Sequence, residues 1–84
     1  MSTSRITIDV TTDENHVPVA MEWTAEDGGI QNQNASAMAL SMWNPKEFSA
    51  MRMDLWTKDM SVEEMRSFVV QTMMTLADTY ERAT

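Results

Sequence analysis

The chain has no cysteine, a single histidine, two glycines and two prolines. Without cysteine, neither a disulfide nor a thiolate metal site can hold the fold, a composition that fits a reducing compartment. The two glycines, Gly28 and Gly29, are adjacent and lack the spacing of a phosphate-binding loop. Long apolar runs are missing too. Ala37-Met38-Ala39-Leu40 and Val69-Val70 are among the longest, far short of the roughly 20 residues that span a bilayer. The opening Met1-Ser2-Thr3-Ser4-Arg5 is polar and leads into no signal-peptide core. These absences predict a cytoplasmic protein that does not insert into membranes.

Basic residues are scarce as well. Six of them, at positions 5, 46, 52, 58, 66 and 82, face thirteen acids, for a net charge of −7. Such a chain is repelled by phosphate backbones, and no local basic cluster offsets the repulsion. Nucleic acid is therefore excluded as the expected partner. Eighty-four residues form one domain, with residues 1–4 expected to be disordered ahead of it. A domain of this size hides only about 60–65% of its unfolded surface. What is abundant is methionine, with ten copies. Its flexible, polarizable side chain suits an irregular core or an adaptable binding surface.

Arg5–Thr11 alternates strictly, with Ile6, Ile8 and Val10 on one side, the pattern of a half-buried strand. The polar turn Asp13–His16 and the extended Val17-Pro18 lead to a second alternation, with Val19, Met21 and Trp23 on one face. Together they predict a hairpin. Glu26–Asn34 reads as loop. Ala35–Trp43, rich in Ala, Met and Leu and stopped by Pro45, reads as a helix capped by Asn34 or Ser36. Ala50–Trp56 predicts a third strand, with Met51, Met53 and Leu55 opposite Arg52, Asp54 and Trp56.

The dense stretch DLWTKDMSVEEM, residues 54–65, invites a chemical reading. Most of it is a helix entrance. Ser61-Val62-Glu63-Glu64 has the form of a capping box, and Met60 with Met65 has the spacing of a hydrophobic staple. The helix then runs from about Val62 to Arg82, with Asp78 and Arg82 spaced as an i,i+4 pair. Its apolar residues cover an arc of about 200°, whereas packing on one surface needs only about 100°. The first helix covers part of that excess, and a second copy of the chain or a partner covers the rest. The arc thus predicts self-association, in a homodimer or another homo-oligomer.

No catalytic, cofactor-binding or metal-binding set emerges. His16 sits in a turn with no second ligand spaced beside it on the same element, and it reads as solvated. Asp9, Glu22 and Asp54 fall on polar strand faces, where proximity would raise a carboxyl pKa or make a weak cation site. A solvated outer face with Arg52 among the acids is the plainer reading. Trp56, beside Arg52 and Asp54 and away from the methionine face, is a candidate partner-binding residue. Lys58 and the helix residues Val70 and Met74 complete that candidate protein-binding set. The rival placement tucks the Trp56 ring under Lys58. Trp23 and Trp43 read as core.

With these pieces placed, the chain resembles the gliding-motility-associated GldC family of the Bacteroidota from about Arg5 to Thr84. The likeness is carried by VPVAMEW, ALSMW, DLWTKDMSVEEM and ADTYERAT. It implies a small cytoplasmic accessory protein linked to gliding motility or its machinery, and it carries over no catalytic residue.

The expected architecture is α+β, in the order β-β-α-β-α. A three-stranded antiparallel sheet of order 2-1-3 would have both helices on its apolar face. The alternative sets the third strand beside the second and parallel to it. The expected function is non-catalytic protein interaction. The second expectation is a ligand-binding protein whose methionines and Trp23 line an apolar cavity between sheet and helices.

Overall fold

The alternation of the first 25 residues produces the hairpin it predicts. In the computed structural model, which describes residues Met1–Thr84, β1 (Ile6–Thr12) pairs antiparallel with β2 (Pro18–Ala25). Ile8 lies opposite Trp23 and Val10 opposite Met21, so the apolar residues of both strands share one face. Asp13 closes the turn: its carboxylate accepts the N–H groups of Asn15 and Val17 at 2.9 and 3.1 Å. His16 takes the left-handed conformation that this turn requires, with φ 62°.

The middle of the chain departs from expectation. The polar segment expected as loop becomes, after a 3-10 turn at Glu26–Gly28, a strand β3 (Ile30–Ala35). It pairs with the other edge of β2, giving a sheet of order β1-β2-β3. The pairing shifts between Trp23 and Ala25, where Asn32 adopts φ 49° and its N–H is accepted by Thr24 Oγ1 at 3.0 Å. That is a bulge accommodated by one of the few residue types that tolerate the left-handed region.

The segment expected as the first helix is also a strand, β4 (Ala37–Asn44), paired antiparallel with β5 (Ser49–Trp56) in a second sheet. The three-stranded sheet of order 2-1-3, its parallel alternative and the helix over Ala35–Trp43 are therefore all corrected. Ala, Met and Leu favour helix in isolation, but Met38, Leu40 and Met42 also fall at period two. They meet Leu55, Met53 and Met51 one for one across the hairpin. Tertiary pairing outweighs a propensity difference of tenths of a kcal/mol per residue.

Only Ser36 separates β3 from β4, so the chain passes from one sheet to the other across a single residue. Two backbone bonds lock the junction: Thr57 N–H donates to Ser36 O at 2.8 Å, and Lys58 N–H to Pro18 O at 3.1 Å. Around this corner lie the two buried residues, Met21 and Thr57.

The helix α1 (Val62–Ala83) begins as the sequence predicts. Ser61 Oγ accepts the Glu64 N–H at 3.1 Å, and Glu64 Oε1 accepts the Ser61 N–H at 3.2 Å. Met65, Phe68 and Thr72 are half-buried, while every later residue of the helix is exposed. Asp78 and Arg82 form the expected pair at 3.2 Å. No helix is long and apolar enough to cross a membrane.

Candidate functional site

The β4–β5 hairpin presents two chemically different faces because its cross-strand pairs sort by alternation. One carries Met38, Leu40, Met42, Met51, Met53 and Leu55; the other carries Trp43, Ser41, Arg52, Asp54 and Trp56. On the first face Met38, Leu40 and Leu55 are half-buried near the corner, whereas Met42, Met51 and Met53 are exposed. The hairpin end is apolar as well. Trp43 and Phe48 meet edge to face with centroids 5.0 Å apart, and both are exposed. Trp43 is thus not core, because its strand leaves it beyond the reach of the first sheet.

Between this hairpin and α1 lies an open groove of about 680 Å³. Met38, Leu40, Met53, Leu55 and Trp56 line it from the strands, and Met65, Phe68, Val69, Met73 and Leu76 from the helix. Thr72, Thr75 and Thr79 also face it. Thr75 and Thr79 turn their hydroxyls onto Thr72 O and Thr75 O, at 2.9 and 3.0 Å, so these polar atoms are satisfied within the helix. A second concavity of about 390 Å³ lies between the sheets, lined by Ile6, Ile8, Met21, Trp23, Met38, Leu40 and Phe68, with Glu22 as its one polar side chain.

The expected partner-binding residues divide. Trp56, 49% exposed, lines the groove together with Arg52 and Asp54. Neither Arg52 nor Asp54 is engaged in either of the two ion pairs of the chain. Val70 and Met74 are exposed but do not line the groove; the turn of the helix carries them around its other side. Lys58 is committed elsewhere, with Nζ 3.3 Å from Asp13. It ties the loop before α1 to the first hairpin instead of flanking Trp56.

The carboxylates do not converge as a trio. Asp9 lies opposite Glu22 in the first sheet, while Asp54 lies opposite Ala39 in the second. No group of three or more His, Asp or Glu side chains is placed to hold a metal. The Asp13 carboxyl is held below its ordinary value, first by the Val17 N–H, against the next-largest effect, desolvation, which raises it, and with the Asn15 N–H and the Lys58 ammonium adding to the lowering. Its role is to close a turn.

The groove is not legible in the sequence pattern, because one of its walls is β4, whose composition also suits a helix. The surplus width of the apolar arc on α1 was the one signal pointing to it.

The sequence model described as "Gliding motility-associated protein GldC-like" matches residues 18–84, from the start of β2 through the end of α1. No curated protein and no solved structure matches the chain. The matched span includes both walls of the groove and the Ser36 corner, and it covers well over half of the sequence. The chain belongs to the GldC-like family of gliding-motility-associated proteins.

Proposed function

We propose that the protein is a non-catalytic accessory module that works in the cytoplasm by docking a protein segment against the groove between α1 and the β4–β5 hairpin. The observation that carries this reading is the make-up of the groove. Met, Leu, Val and Phe form its walls, and Arg52 and Asp54, both outside any ion pair, flank the exposed Trp56. An apolar centre with polar groups beside it and a tryptophan anchor is the anatomy of a protein interface. Methionine adds a surface that can adapt to its partner.

The test is capture from native lysate with wild type and Trp56→Ala side by side, with the fold of each monitored by circular dichroism. Trp56→Ala keeps the wild-type spectrum and weakens capture at least roughly tenfold, as loss of an interface tryptophan does. A variant that does not fold would make Trp56 a core residue and overturn the assignment.

The concavity lined by Trp23, Met21 and Met38 supports a second reading, a carrier for an elongated aliphatic ligand. Its volume lies within the roughly 300–1,000 Å³ of small-molecule sites. Trp23 emission that stays constant during titration with a fatty-acid probe would reject that reading.

A further inference from the structure

We propose that the first occupant of the groove is a second copy of this chain, placing the apolar arc of one α1 against the groove of its twofold mate. The inference rests on the groove being a protein-docking site and names its partner. Area supports it most directly. The chain exposes 7507 Å². A compact monomer of 9.6 kDa exposes about 5,100 Å², leaving an excess of about 2,400 Å² per chain. Two copies that each hide half of this excess bury about 2,400 Å² together, within the roughly 2,000–5,000 Å² of obligate homodimers.

Charge supports the same occupant. From Ser67 to Ala77 the helix carries no charged residue, and neither does β4 from Ala37 to Asn44. Depletion of charge marks the core of an interface. A chain of net charge −7 meets its own copy with least repulsion across such neutral surfaces, since like charges brought together repel. The helix itself also needs cover. Six of its 22 residues, Val62, Val69, Val70, Thr72, Thr75 and Thr79, are β-branched and lose side-chain freedom in a helix. Helices in proteins draw most of their stability from packing, yet beyond Thr72 every residue of this one is exposed in the single chain.

The closing experiment is sedimentation equilibrium of the full chain from about 1 to about 100 µM, with melting followed over the same range. Wild type sediments at twice the 9.6 kDa chain mass, and its melting temperature rises with concentration, as it must when association stabilises the fold. Leu76→Asp, which places a charge in the groove, weakens the dimer at least about 100-fold. Ser67→Asp, on a side of the helix outside the groove, leaves it unchanged. If Leu76→Asp fails to fold, the concentration dependence of wild-type melting still decides. A 9.6 kDa species throughout, with melting independent of concentration, overturns the proposal. So does a dimer that Leu76→Asp leaves intact. A monomer in which Trp56→Ala still weakens capture rejects the second copy while retaining the docking site.

Discussion

The two ends of the molecule are built from similar residues and end up in different states. Around the Ser36 corner, Met21 is 3% exposed and Thr57 4%, and in the first half of α1 Met65, Phe68 and Thr72 are half-buried. Toward the hairpin tip and the last turns of the helix, Met51 is 65% exposed, Phe48 82%, Leu76 62% and Tyr80 70%. The apolar stripe of α1 does not fade between these ends; Met65, Phe68, Val69, Met73, Leu76 and Tyr80 continue it. What changes is the supply of facing surface within the chain. The difference teaches that the apolar stripe of the helix runs past the surface that the rest of the chain offers it.

The contrast can be tested from its anchored end. Met21→Ala removes the one buried apolar side chain and is expected to cost about 2–5 kcal/mol, read as a lower urea midpoint. A loss under about 0.5 kcal/mol, the range of surface substitutions, would mean that the corner is not the anchor.

A smaller effect is expected at the helix entrance. Ser61→Ala removes the hydroxyl that accepts the Glu64 N–H and should cost about 1 kcal/mol in the same assay. Ser61→Asp, which restores an acceptor, should recover most of it.

The smallest effect belongs to Asp13. Its carboxyl titrates below the ordinary aspartate value because the Val17 and Asn15 N–H groups and Lys58 favour the charged form. A depressed folded pKa adds stability that is fully present above the unfolded value and is lost as pH falls through the folded one. Wild type should therefore lose more stability than Asp13→Asn between neutral pH and the acid side of that titration. Identical acid profiles for the two proteins would show that the turn does not depend on the charge.

Four elements were legible from single-residue patterns. The alternations over Ile6–Val10, Val19–Trp23 and Met51–Leu55 match β1, β2 and β5, and the capping box at Ser61–Glu64 opens α1 where expected. These signals are local, so they need no knowledge of the partner strand. β3 and β4 were not legible for opposite reasons. Ile30–Ala35 is polar at its four inner positions, with no apolar alternation, and pairs with the edge that β2 offers it. Ala37–Asn44 satisfies both the helical and the strand period, and the choice is made by Leu55, Met53 and Met51 across the hairpin. The exposure of Trp56 followed from its place in the alternation. Its position on a groove did not, because one wall of that groove is β4 itself.

The passage from β3 to β4 through Ser36 alone has a further consequence. With no slack between the sheets, the direction in which the hairpin arm points is set by the backbone angles of one residue and the two amide bonds beside it. The arm behaves as a lever on a stiff pivot: its 8 residues reach about 27 Å, so a rotation of about 5° at Ser36 moves its far end by about 2 Å while both ladders stay intact. Relatives could re-aim the arm through this pivot without redesigning either sheet.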